Sequence, residues 1–115
     1  MSVNKAILIG VLGNDPTLRV TQSGKSVMNF SLATHETYHG KTDTMWHQIT
    51  AWDPIASSCL PYLKKGKKIY LEGRIALNEY TDKVGEKNSK IQIIANKIIF
   101  LSSDIEGVVA NEKSA

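Results

Sequence analysis

Apolar and polar residues alternate along most of this chain with a period of two, the spacing of a β-strand rather than a helix. "NKAILIGVL", residues 4–12, is a nearly continuous apolar run, the pattern of a strand covered on both faces. "GNDP" breaks it with turn chemistry, "TLRVTQ" resumes extended sequence, and "SGK" at 23–25 turns the chain again. "SVMNFSLATHETY", residues 26–38, sets Met28, Phe30 and Leu32 on one parity and Asn29 and Ser31 on the other, so it begins as a half-buried strand. "HGKTDT" joins it as a short hairpin to "MWHQITAW". There Trp46, Gln48, Thr50 and Trp52 share one face, and His47, Ile49 and Ala51 the other. The same counting puts Tyr38 on the inner face of its strand unless a bulge or bend near 34–36 turns it out.

The one helix candidate is "DPIASSCLPYLKKG". Asp53 suits an N-cap, Pro54 the first helical position, and Gly66 the stop after Lys64 and Lys65. An interior proline costs about 3 kcal/mol. Pro61 therefore predicts either a kink or a short helix starting near Ser57 or Ser58, with Ile55, Cys59, Leu60 and Leu63 on the buried side. "KKIYLEGRIALNEYT", residues 67–81, alternates most cleanly: Ile69, Leu71, Ile75 and Leu77 point inward, and Tyr70, Glu72, Arg74, Asn78 and Tyr80 outward. "DKVGEKNSK" reads as a polar loop and "IQIIANKIIFL", residues 91–101, as the last strand. From Asp104 the periodicity is lost, and a short disordered tail is expected over 104–115. The order is strand, strand, strand, helix, strand, strand, without βαβ alternation. It predicts an all-β domain over 1–103, a five-stranded OB-fold Greek-key barrel with one short helix between strands 3 and 4. Closure also removes the exposed edges that so many short strands would otherwise present.

Composition narrows this picture only slightly. A chain of 115 residues, 42% hydrophobic and 22% charged, is one ordinary globular domain. The single cysteine, Cys59, excludes an internal disulfide and suits a reducing compartment. The longest apolar run, "AILIGVLG", is too short to cross a bilayer, so no membrane partner is expected. The start has no signal-peptide pattern. The cytoplasm, with the nucleoid, is the expected location, or the mitochondrial matrix if a transit peptide has been removed. Three acids and one lysine fall from Asp104 onward, leaving 13 basic and 8 acidic residues, net +5, in the first 103. That balance is compatible with phosphate binding.

Candidate chemistry concentrates on the outward face: Trp46, Trp52, Tyr70, Tyr80 and Arg74. Every nucleobase has a π-face, and stacking on an aromatic side chain is worth roughly 1–3 kcal/mol per base without any sequence preference. Lys41, Lys64, Lys65, Lys67, Lys68, Lys83 and Lys87 sit at strand ends and loops, where they could follow a phosphate backbone. Aromatics on a sheet with basic edges suit unpaired nucleic acid, but a protein–protein interface buries the same residue types. Periodicity leaves both open. Other constellations point nowhere. His35, His39 and His47 lack a second ligand cluster, so no metal is expected, and His47 reads as a hydrogen-bonded inner-face histidine. Cys59 reads as packing. "GVLGND" lacks the G-x-G-x-x-G order. No carboxylate pair suits acid–base work; neither enzyme activity nor a cofactor is expected.

"NKAILIGVLGNDP", "FSLATHE", "WHQITAW", "YLKKGKKIYLEGRI" and "EYTD", in that order, resemble the bacterial and mitochondrial type of single-stranded DNA-binding protein (SSB) from about residue 4 to 101. The resemblance implies an OB-fold and a homotetramer around which one strand wraps. It also implies sequence-independent binding and protection of single-stranded DNA in replication, recombination and repair. The four base-stacking aromatic positions of that family correspond to Tyr38, Trp46, Trp52 and Tyr80, which assigns Tyr38 to the binding face. Arg19, Lys41, Lys64, Lys65, Tyr70, Arg74, Lys83 and Lys87 are expected at the strand's backbone and edges. Three features depart from the bacterial pattern. The "HGKTDT" hairpin is short, Glu79 stands where a cation is usual before the last aromatic, and "GVVANEKSA" is not the acidic tip that recruits replication and repair proteins. Two other readings are a dimeric primosome-type OB-fold adaptor and an OB-fold protein-interaction module.

Overall fold

The structure, a computed structural model, describes residues 1–101 and 109–111. Five strands close into a barrel: β1 (Ala6–Leu12), β3 (Ser26–Tyr38), β4 (Lys41–Trp52), β5 (Lys68–Thr81) and β6 (Lys87–Phe100). Hydrogen bonding runs β1-β5-β6-β4-β3 and returns to β1 through Val11 and Leu12, paired with Ala33 and Leu32. The pairings around the ring are antiparallel except at β4 against β6, where Ile49 and Thr50 lie beside Ile93 and Ile94 in parallel. A short α1 (Ile55–Cys59) lies between the third and fourth barrel strands, as the element order predicts. A further strand, β2 (Thr17–Val20), pairs with the part of β3 that β1 does not reach. The tail expected at 104–115 lies outside the described residues, apart from β7 (Val109–Asn111), which pairs with β6.

The core is the inward parity of every barrel strand. Met28, Phe30, Leu32, Ile49, Ala51, Ile69, Leu71, Ile98 and Phe100 are buried there, and Ile55, Ala56, Cys59 and Leu63 join them from the helical connection. Pro61 acts as anticipated: α1 stops at Cys59, and a 3₁₀ turn (Leu60–Tyr62) carries the proline in its first positions, where no backbone N–H is needed. The helix begins earlier than Ser57, with Pro54 rather than Asp53 at the cap position. Asp53 still holds this end, because its Oδ1 accepts the Ser57 N–H at 2.9 Å and the Ser57 hydroxyl at 2.6 Å. Those bonds hold its carboxyl below the usual range.

Two hairpins run longer than alternation suggests. β3 and β4 stay in one unbroken register from Val27 opposite Trp52 to Tyr38 opposite Lys41. The turn is only His39 and Gly40, both at positive φ (49° and 73°), as a two-residue hairpin turn requires. β6 begins at Lys87 rather than 91, because its polar first residues pair with 78–81. This ribbon is wet on both sides, so it needs no hydrophobic alternation. The Asp82 carboxylate ties its tip, accepting the N–H groups of Val84 and Glu86 at 3.0 Å and the Asn88 amide at 2.7 Å.

Ile75 and Leu77 keep the inward parity of β5 yet are 48% and 60% exposed. They lie past the barrel's end, where no opposite wall covers them. Conversely, Val27 and Thr50 have outward parity but are buried.

Candidate nucleic-acid interface

Trp46 and Trp52 lie on the outward parity of β4, 57% and 39% exposed. Six residues of strand separate them, about 20 Å at 3.3 Å per residue. Between them Thr50 is sealed by two side-chain bonds: it accepts from the Asn29 amide at 2.9 Å and donates to Gln92 Oε1 at 2.8 Å. Three strands are thereby stitched together on the outer side of the barrel.

The Trp46 end is built on the turn after β1. A Cβ added to Gly13 would overlap the Trp46 ring at Cζ3 and lie 2.7 Å from Cη2, so the indole occupies the space a side chain would need. The Gly13 N–H donates to the Ser31 carbonyl at 3.0 Å, and Asn14 Oδ1 accepts the Ser31 N–H at 2.9 Å. Asp15 Oδ1 accepts the Lys65 N–H, and Leu12 exchanges backbone bonds with Gly66 and Lys67. The loop carrying Lys64 and Lys65 is thus docked on the same turn that supports Trp46.

At the other end, Trp52 is paired with Val27, and Val27 with Arg19 on β2. Two strand spacings, about 10 Å, separate the backbones of Arg19 and Trp52. On the opposite flank Trp52 shares a cleft with Arg74 of β5. Arg74, Ala76, Asn78 and Tyr80 lie on one parity of the β5–β6 ribbon, with Gln92, Lys90 and Asn88 facing Ala76, Asn78 and Tyr80 across it. Because Gln92 accepts the Thr50 hydroxyl, this ribbon face is continuous with the tryptophan face. Tyr80 is 48% exposed at its outer end, and Lys87 adjoins it with Glu79 and Thr81 in one shallow concavity. Lys83 lies in the turn beyond. Lys90, Asn88 and Gln92 were not among the sequence candidates. The signal that finds them is cross-strand register, which strand periodicity does not contain.

Tyr38 and Tyr70 sit apart. No bulge interrupts β3, so Tyr38 keeps the parity of Leu32 and is 51% exposed only because the hairpin overshoots the barrel. Its hydroxyl donates to Asp43 at 2.7 Å, and the proximity of that carboxylate raises the phenol's pKa. Lys41 pairs directly opposite it. Tyr70 flanks Ile9 of β1 and Ile99 of β6, away from β4. Its hydroxyl donates to Glu72 at 2.7 Å, and Glu72 also pairs with Lys5 at 3.1 Å. The geometry gathers Trp46, Trp52, Arg19, Arg74 and Tyr80 on one surface but does not bring Tyr70 to it.

His47 and Cys59 lie on the inner side of the barrel wall. His47 Nε2 is 2.9 Å from the Thr34 hydroxyl, and partial burial lowers its pKa. Cys59 is buried, which pushes its thiol up to about 12. Among the described residues no three His, Cys, Asp or Glu side chains gather as a metal site would require. No helix there is long and apolar enough to cross a membrane.

Comparison with known proteins points to one family. Residues 3–101 match the Single-strand binding protein family. Single-stranded DNA-binding protein 1 of Chlorobaculum tepidum is 41% identical over 111 residues, covering 91% of this chain and 68% of the relative. Single-stranded DNA-binding protein of Neisseria meningitidis serogroup A is 43% identical over 106 residues, 88% of this chain and 61% of the relative. The chain thus spans roughly two thirds of the length of these relatives. Among solved structures, the Plasmodium falciparum SSB complex with ssDNA superposes with a TM-score of 0.80 at 29% identity, covering 89% of this chain and 97% of that one. On sequence and fold together, this chain belongs to the single-strand binding protein family.

Proposed function

We propose that this protein binds single-stranded DNA irrespective of sequence and covers it during replication, recombination and repair. The observation that carries the reading is the pair of exposed indoles, Trp46 and Trp52, on one outer face continuous with the Arg74 and Tyr80 ribbon. Indoles in that position offer stacking surface to any base, but only to a base whose faces are open, so duplex is disfavoured. Trp46, Trp52 and Tyr80 stack; Tyr38, on the opposite parity of the β3–β4 hairpin, meets the strand where it wraps past the hairpin's tip. Arg19, Lys41, Lys64, Lys65, Arg74, Lys83, Lys87 and Lys90 attract the phosphates, which needs no chemistry beyond charge. Tyr70 belongs to a different surface and is left out of the track.

That other surface supports assembly into a homotetramer. Ile7 and Ile9 of β1 are 56% and 53% exposed beside Tyr70. Residues 6–9 pair with β5 on one edge only among the described residues, leaving an edge open to a second copy. Work on nucleoid DNA in the cytoplasm fits this role.

Titration of the protein's tryptophan fluorescence with oligo(dT) tests the reading. Strong quenching at low salt, with poor competition from duplex, is the expected result; unchanged fluorescence overturns it. Native mass measurement with and without oligo(dT) tests the tetramer.

A further inference from the structure

We propose that the cleft between Trp52, Arg74 and Asn96 is a subsite for one nucleotide of the bound strand, in which the Asn96 side-chain amide pairs with the Watson–Crick edge of whichever base enters. The inference rests on the single-strand reading above and deepens it.

The cleft exists because the β5–β6 ladder slips. Glu72 pairs with Lys97 and Gly73 with Ala95, so Asn96 is left without a partner residue on β5. A bulge of this kind bends the strand and re-aims the side chain of the extra residue. The position opposite must be glycine for lack of room, since a Cβ on Gly73 would overlap the Ile94 carbonyl oxygen. The resulting concavity has a volume of about 220 Å³, with Trp52 as one wall and Arg74 and Asn96 on its lining. That is below the roughly 300–1,000 Å³ of pockets for drug-sized ligands, and suits a smaller planar group.

The polar groups sort themselves by what they already hold. Asp53, also on the lining, is committed to Ser57. Neither the Arg74 guanidinium nor the Asn96 amide has a side-chain hydrogen bond or ion pair among the described residues. A guanidinium is suited to a phosphate, an indole to a base face, and an amide to a base edge. The amide also accounts for tolerance of sequence. It presents a donor beside an acceptor and can be turned end for end. Each base offers an adjacent donor and acceptor on its Watson–Crick edge: N6–H and N1 of adenine, N4–H and N3 of cytosine, N1–H and O6 of guanine, N3–H and O4 of thymine. One asparagine therefore satisfies all four, and only when the edge is not already paired. Stacking makes the site indifferent to which base enters; the amide makes it demand an unpaired one.

The test compares oligo(dT) with an oligo of 3-methylthymidine, whose N3–H is replaced by a methyl group while the ring face and phosphates are retained. Wild-type protein should bind the methylated oligomer more weakly, by about 2- to 10-fold, the worth of one net hydrogen bond. Asn96→Ala should bind oligo(dT) weaker by a similar factor and no longer distinguish the two; Asn96→Leu serves the same purpose should the alanine variant fold poorly. Equal wild-type affinity for both oligomers overturns the inference, as does undiminished discrimination in a folded Asn96 variant. Failure of wild type to bind oligo(dT) at all overturns the single-strand reading itself.

Discussion

The indole of Trp46 rests where the side chain of residue 13 would be: a Cβ on Gly13 would overlap its six-membered ring. "GVLGND" thus has a use unrelated to phosphate cradling, because its second glycine clears a seat for the most exposed tryptophan. Gly13→Ala should push Trp46 off that seat and weaken oligo(dT) binding by up to the value of one stack, about 1–3 kcal/mol. Thermal unfolding should change little, since the Trp46 ring is on the outside of the barrel. Binding isotherms, read beside the emission spectrum of Trp46 in a Trp52→Phe background, check this; unchanged affinity would show that the seat does not matter.

Trp46→Ala and Trp52→Ala should each cost roughly 1–3 kcal/mol of single-strand affinity while leaving the circular dichroism spectrum intact. Neither ring is part of the buried core, so no large cavity follows their removal. With the two sites about 20 Å apart along β4, the losses should add in the double variant. A shortfall from additivity would mean that one base path does not visit both.

Arg19→Gln and Arg74→Gln should each lower the slope of log affinity against log salt by about 0.7, the counterion release of one single-strand phosphate contact. Tyr70→Phe is the control. It removes the hydrogen bond to Glu72 on the β1 face and should leave the slope unchanged. A Tyr70→Phe variant with altered DNA affinity would return that residue to the binding surface.

Acid should weaken the fold through His47. Burial lowers its native pKa below 6.5, so the native state favours the neutral ring. The corresponding stability is fully present above the unfolded value near 6.5 and is lost as pH falls through the native pKa. Urea midpoints measured between pH 7.5 and 5 should fall, and His47→Gln should flatten that decline. An identical pH profile in the variant would assign the acid sensitivity to other groups.

Alternation along single strands determined a good deal: the inward set of Met28, Phe30, Leu32, Ile49, Ala51, Ile69 and Leu71, the outward facing of both tryptophans, and, through element order, a closed five-stranded barrel with its helix before β5. These are local properties, fixed by a backbone that points successive side chains to opposite sides. Whether a face is covered is not local. Ile75 and Leu77 have the inward pattern but run beyond the barrel's wall, while Thr50 points outward and is sealed by Asn29 and Gln92 from two other strands. Tyr38 is exposed by the length of its hairpin rather than by any bulge. The Gly13 seat, the Lys90 and Gln92 face and the Asn96 bulge depend on how residues far apart in the chain are registered against one another. A strand's own sequence carries its period but not its partner's offset, and only folding sets the offset.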